Sequence, residues 1–147
     1  MALDFQLVID CAEPHTLADW WADALGWEVE GTDEDFIRRM IKEGHATDDD
    51  TVRHNGALHW KTAAAINHPD GRESGRPRIL FELVPEPKTV KNRVHIDLRP
   101  MSADPEKQIA DLIGKGATLL WRGEEGPMTA WAVLADPEGN EFCVPTR

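Results

Sequence analysis

One pattern is written twice along this chain, and that repeat restricts the fold more tightly than any other feature of the sequence. Phe5 to Glu13 (FQLVIDCAE) reads as a strand, and the helical stretch after it stops at Gly26. From Val94 (VHIDLRP) a second strand leads into a second helical stretch that stops at Gly116. Aligning Gln6 with His95 leaves the two glycines 20 and 21 residues downstream. Ala65 to Gly71 (AINHPDG) is echoed by Val133 to Gly139 (VLADPEG), an apolar strand end running into a turn with Pro and Gly at matching places. Each turn is followed by a short apolar strand, Ile79 to Val84 and Glu141 to Val144. A duplication of this length is a statement about architecture.

Between these landmarks, Leu17, Trp20, Trp21, Ala24 and Leu25 recur at helical spacing and predict one apolar helix face. Trp27 to Glu30 reads as a short strand. Thr32 to Gly44 breaks the symmetry as an extra helix near 33–44, opened by a Thr or Asp cap. A polar loop with Asp48, Asp49 and Asp50 follows, and Ala57 to Ile66 resumes as a strand. His68 to Arg78 is turn-rich and expected to be mobile, and Val84 to Lys91 (VPEPKTVK) is an extended link. In the second half, Asp104-Pro105-Glu106 is a helix start, with Ile109, Leu112 and Ile113 as its buried face. Ala117 to Trp121, Thr129 to Ala135 and Glu141 to Val144 are strands separated by the GEEGP and DPEGN turns. Each half is therefore β-α-β-β-β, and the expected class is α+β. We expect one domain over 1–147, made of module 1 (1–86) and module 2 (88–147), whose curved, mostly antiparallel sheet has helices outside and a hollow inside.

Charge narrows the partners. With 16 basic against 27 acidic residues the formal charge is −11, which repels phosphate backbones and anionic membrane surfaces. Nucleic acid and membrane are excluded as expected partners, and no apolar run is long enough to span a bilayer. Asp4 and Gln6 stand where a secretory signal needs a basic flank and an unbroken apolar run. A soluble, cytoplasmic protein is expected, with Cys11 and Cys143 reduced and facing opposite sides of their sheets. The sequence shows neither a phosphate-binding glycine loop, nor a Ser-His-Asp order, nor a paired-Cys zinc pattern.

Val84 to Pro100 (VPEPKTVKNRVHIDLRP) and Leu134 to Val144 (LADPEGNEFCV) resemble the signatures of glyoxalase-like domain proteins in the vicinal oxygen chelate superfamily. The resemblance spans essentially the whole chain and implies paired β-α-β-β-β modules building a cup-shaped sheet. It does not imply one reaction, because isomerases, epimerases, dioxygenases, transferases and drug-sequestering binders share that scaffold. Metal-dependent members place ligands on the first and last strand of each module, which carries over to Gln6, Glu82, His95 and Cys143. Here Gln6 stands where a His is usual and Cys143 where a Glu is usual. No stoichiometric metal is expected, although Glu82, His95 and Cys143 are a donor set that zinc accepts.

Strand alternation puts Gln6, Val8 and Asp10 on one face and His95, Asp97 and Arg99 on the corresponding one, opposite apolar faces that go under the helices. Glu82, opposite Ile79, Phe81 and Leu83, and His95 are the candidate acid–base pair, Glu82 as general base and His95 as its acid partner or a metal ligand. Structural readings stand beside them: an ion pair of Glu82 with Arg93 or Arg99, a hydrogen-bonded His95, and Asp97 and Arg99 paired with each other or with polar residues across the cup. Gln6, Val8, Asp97, Arg99, Trp60, Trp121, Trp131 and Cys143 are expected to line the pocket, the tryptophans as an apolar or cation-stacking wall. Trp20, Trp21 and Trp27 are expected in the core. His59 and Trp60 alternate, so one of them sees the hollow, and His15, His45, His54 and His68 show no ligand spacing. The expected function is binding of a small molecule, with lyase or isomerase-type chemistry on an oxygenated substrate. The rival is non-catalytic sequestration of a cationic aromatic compound, as in bleomycin-resistance members, which also bring a homodimer into view.

Overall fold

Alternating apolar and polar side chains build the first sheet. In β1 (Leu7–Cys11) Val8 and Asp10 are exposed while Cys11 is buried, and in β6 (Ile79–Leu83) Ile79 and Phe81 are buried while Glu82 is exposed. The computed structural model describes residues 3–71, 75–99 and 104–147, and the chain divides into two compact units, Met1–Pro87 and Lys88–Arg147. The first unit continues from β1 through α1 (Pro14–Leu25), β2 (Glu28–Val29), α2 (Glu34–Lys42), β3 (Thr51–His54), β4 (Ala57–Trp60) and β5 (Ala63–Asn67) to β6. The second contains β7 (Ile96–Asp97), α3 (Pro105–Gly114), β8 (Thr118–Glu125), β9 (Thr129–Ala135) and β10 (Glu141–Pro145).

The two four-stranded sheets have orders β1-β6-β5-β2 and β7-β10-β9-β8. In each the first strand lies parallel to the last, and the remaining pairings are antiparallel. The duplicated turns also agree: Gly71 N–H donates to His68 O at 2.8 Å and Gly139 N–H to Asp136 O at 2.9 Å. Both glycines have positive φ, 70° and 90°, which a residue with a Cβ adopts reluctantly. The class is α+β with mostly antiparallel sheets, as the repeat predicts.

The ladders correct the offset of the repeat. Asp10 pairs with Glu82 in the first unit, and Asp97 pairs with Cys143 in the second. Matching Glu82 to Cys143 therefore matches Asp10 to Asp97, so the counterpart of His95 is Val8 and not Gln6. Counting back from the glycines misleads because the connections differ. Two residues separate Cys11 from Pro14, whereas residues 98–104 separate Asp97 from Pro105, and α3 is shorter than α1, 10 residues against 12.

Helix ends follow the expected chemistry. The Asp33 side chain accepts from Phe36 N–H at 2.9 Å at the start of α2, and Asp104 accepts from Lys107 N–H at 3.0 Å at the start of α3. α1 ends at left-handed Gly26, with φ 66°. Its buried stripe is rotated from the expected one: Leu17, Ala18, Trp21 and Ala22 are buried together with His15, while Trp20, Ala24 and Leu25 are only half-buried. Trp27 is also half-buried, edge-on to His68 at 5.5 Å. On α3, Ile109 and Leu112 are buried but Ile113 is exposed.

Two strand boundaries differ from expectation. Ala57 to Ile66 is not one strand: β4 pairs with β3 in a separate hairpin across Asn55-Gly56, and β5 joins the main sheet. Asn55 and Gly56 both have positive φ, 48° and 84°, the conformation that a tight two-residue hairpin needs. The expected GEEGP turn is mostly strand, since β8 runs through Glu125. The acidic run forms a short 3-10 turn, Asp48–Asp50, where Thr47 N–H donates to Asp50 and holds its carboxyl below the ordinary value. Residues 72–74 of the segment expected to be mobile lie outside the described residues.

Candidate functional site

Parallel pairing of β7 with β10 sets Asp97 directly beside Cys143. His95 precedes β7 on the same face, its Nε2 3.5 Å from Asp97 Oδ1. Asp97 is therefore engaged with His95 and Cys143. One atom from each of His95, Asp97 and Cys143 falls within 4.8 Å of the other two. Burial, the Asp97 charge and a hydrogen bond to Asp97 all push the Cys143 thiol up, so it stays protonated at neutral pH.

These three residues border a cavity of about 430 Å³ in the second unit, walled by Trp121, Trp131, Val133 and Pro145. Trp131 and Val133 share a face of β9 with Cys143 on β10, through the Cys143–Val133 and Pro145–Trp131 pairs. A β-bulge places Trp121 on that face as well. The register slips between Leu119 and Trp121, so Trp121 lies opposite Val133 instead of Ala132. The two indoles meet edge to face, centroids 6.2 Å apart and planes at 75°. Gly123, opposite Trp131, is why they fit: a Cβ there would lie 2.5 Å from Trp131 Cζ2 and 2.8 Å from Trp121 Cζ3.

The polar rim is charge-balanced. Glu141 accepts from Asn92 N–H at 2.9 Å and Lys88 Nζ at 3.2 Å, and Arg147 Nη2 donates to Glu124 Oε2 at 2.9 Å. Burial pushes the Glu141 carboxyl up, but the Asn92 and Lys88 hydrogen bonds outweigh it and hold the group below its ordinary value.

The remaining predicted residues belong to the first unit, apart from Arg99, which is exposed. Gln6 precedes β1 and accepts from Arg78 Nη1 at 3.1 Å. Val8 is exposed on β1, and Glu82 is exposed on β6 between Asp10 and Ala63 in the ladder. Trp60 lines a separate cavity of about 340 Å³ in the first unit, together with Phe36, His59, Glu30 and Arg78. Both His59 and Trp60 border it. At its edge Arg78 clasps Glu30 through Nε at 2.6 Å and Nη2 at 2.7 Å. Neither Cys11 nor Cys143 forms a disulfide.

A divalent ion of the kind held by metal-dependent members of the superfamily can be tested against these donors. Imidazole, carboxylate and thiolate suit zinc, and within the second unit His95, Asp97 and Cys143 would hold it. The thiol is the costly ligand, because it must lose a proton that burial and Asp97 both retain. Asp97→Asn should therefore speed alkylation of Cys143 by iodoacetamide about two- to fivefold at pH 8 in a Cys11→Ser background, since it removes the charge but leaves the burial. Mass spectrometry of the alkylated peptide checks this, and an unchanged or slower rate would show that Asp97 does not act on the thiol.

Residues 6–145 match the model of a family described as Glyoxalase-like domain. No curated protein matches the chain. Solved structures share the fold at low identity. A glyoxalase/bleomycin resistance/dioxygenase family enzyme from Burkholderia phytofirmans PsJN aligns at TM-score 0.58 and 17% identity, over 95% of this chain and 94% of that one. The fosfomycin resistance protein FosX from Listeria monocytogenes aligns at 0.61 and 6%, over 99% and 93%. A bleomycin resistance determinant encoded on the transposon Tn5 aligns at 0.54 and 11%, over 99% and 98%.

Proposed function

Because the chain belongs to the glyoxalase-like domain family of the vicinal oxygen chelate superfamily, we propose that it binds a planar, oxygenated small molecule in the tryptophan-walled pocket of its second unit. The observation that carries this reading is the Trp121–Trp131 pair closed over Gly123, with His95, Asp97 and Cys143 at one side. Indole faces take a flat ring, and the imidazole, carboxylate and thiol offer directional contacts to its oxygens. Glu82, the expected general base, belongs to the first unit and does not border this pocket, so lyase or isomerase-type chemistry in this reading uses His95 as the acid–base group, with Asp97 beside it. His95→Ala should abolish turnover of a converted compound while leaving the far-UV circular dichroism unchanged. Retained turnover would remove that mechanism.

The second reading, sequestration of a cationic aromatic, is favoured by the same indoles together with the formal charge of −11. Titration with a planar cation such as ethidium, followed by tryptophan fluorescence, separates the two. A sequestering protein should lose affinity as salt rises from about 0.05 to 0.5 M, weaken at least tenfold on Trp131→Ala, and return its ligand unchanged. Conversion of any bound compound would support the enzyme instead.

A further inference from the structure

Three histidines far apart in sequence meet in the first unit. His15 and Asp19 are i,i+4 neighbours on one face of α1. In the β3–β4 hairpin the pairs His54–Ala57 and Val52–His59 put His54 and His59 on one face. That face meets the helix: ring centroids are 4.6 Å apart for His15–His59, 5.3 Å for His15–His54 and 6.2 Å for His54–His59.

Hydrogen bonds determine which nitrogens carry lone pairs. His15 Nε2 lies 2.9 Å from the Trp60 carbonyl oxygen, and His54 Nε2 lies 2.6 Å from Asp19 Oδ2. A carbonyl and a carboxylate only accept, so in both rings Nε2 holds the hydrogen and a neutral ring has its lone pair on Nδ1. Asp19 is itself fixed by Asn55 Nδ2 at 3.0 Å, next to the hairpin turn. Tying the distal N–H of an imidazole to a carbonyl or carboxylate is the support that metal-binding histidines use. Both supports are present here, and the third ring, His59, has no polar partner of its own among the described residues.

We propose that His15, His54 and His59 form a three-imidazole site for a borderline divalent transition-metal ion such as Zn²⁺, which ties the β3–β4 hairpin to α1. The rings stand near the spacing this needs, while their donor atoms converge less closely than those of His95, Asp97 and Cys143. A ring bound through nitrogen at about 2.0 Å has its centroid about 3 Å from the ion, so neighbouring rings in a tetrahedral site stand about 5 Å apart. The observed separations bracket that value. The His54–His59 distance is the widest, so the His59 ring turns toward the other two on binding. Solvent completes the coordination, and Asp19 orients His54 rather than ligating the ion. Because His15 and His59 border the first unit's cavity, the ion would stiffen one wall of it.

The test uses tag-free, full-length protein carrying His95→Ala and Cys143→Ser, which removes the other candidate donor set, treated with chelator and titrated with Zn²⁺ alone by calorimetry. One equivalent should bind with micromolar or tighter affinity and raise the melting temperature. His54→Ala and His59→Gln should each weaken binding more than tenfold, while His45→Ala, an exposed histidine outside the cluster, should not. His59→Gln guards against loss of folding, since that ring supports no hydrogen bond in the cluster. Side-chain ¹⁵N spectra should show the ion on Nδ1 of His15 and His54. Absence of zinc uptake, unaltered uptake in His59→Gln, or coordination through Nε2 would each overturn the proposal.

Discussion

Phe81→Ala and Phe142→Ala should each destabilise the protein by about 3–5 kcal/mol, the range for emptying a fully buried aromatic site. Both rings are almost wholly buried, 0% and 1% exposed. They hold the same place in the two ladders, Phe81 opposite Ile9 and Phe142 opposite Ile96, each on a last strand lying parallel to a first. Each belongs to the buried apolar set of its own unit, which includes Leu17, Trp21, Ile66 and Ile79 in the first and Ile109, Leu112, Leu134 and Val144 in the second. Native domains are stable by only about 5–15 kcal/mol, so either loss takes a large share of the total. Urea unfolding followed by circular dichroism measures it, and Phe→Leu at the same positions should cost less than half as much because most of the volume is kept. A loss under about 1 kcal/mol at either position would contradict its place in the core.

These two phenylalanines also show what the sequence reveals well. Buried sheet faces announce themselves by alternation, so Ile79, Phe81, Phe142 and Val144 are buried as ILFEL and EFCV predict, while Leu83, expected on the same face, is exposed at the strand end. Caps are equally legible, because Asp33, Asp104 and Gly26 satisfy local backbone groups without help from distant residues.

Features that depend on pairing between distant segments are less legible. Glycine spacing misplaces the repeat by two residues because helix length and connection length change in opposite senses, and only the ladders reveal which residues face each other. Asn55-Gly56 was an available hairpin signal, and reading it would have split Ala57–Ile66 and brought His54 and His59 onto one face. His15 gives no such signal, since its proximity to them depends on how α1 packs. Trp121, Trp131 and Cys143 border one cavity. The bulge that turns Trp121 onto their face has no mark in the sequence beyond a glycine inside a strand, Gly123.

That glycine gives the sharpest test of the pocket. Gly123→Ala should cost about 1–3 kcal/mol, the range for overfilling a packed site, and should displace the Trp131 indole. Its backbone is not in the left-handed region, so conformational strain is not the cause. Space is the cause: the added methyl would meet ring atoms of Trp131 at 2.5 Å and of Trp121 at 2.8 Å. An indole on a strand between Ala130 and Ala132, both buried, cannot retreat as the end of a lysine could. It must turn about its χ angles, which opens the edge-to-face pair. The measurement is a double-mutant cycle with Trp131→Ala, following both unfolding free energy and tryptophan emission. If the indole is what the methyl meets, Gly123→Ala should be close to neutral once Trp131 is removed, and alanine should even favour the strand slightly over glycine. An equal cost in both backgrounds would place the glycine's role elsewhere, and the tryptophan wall would lose its support. A cost present only with Trp131 would establish that β8 keeps a glycine there so that two indoles can close over it, which is the arrangement the proposed ligand needs.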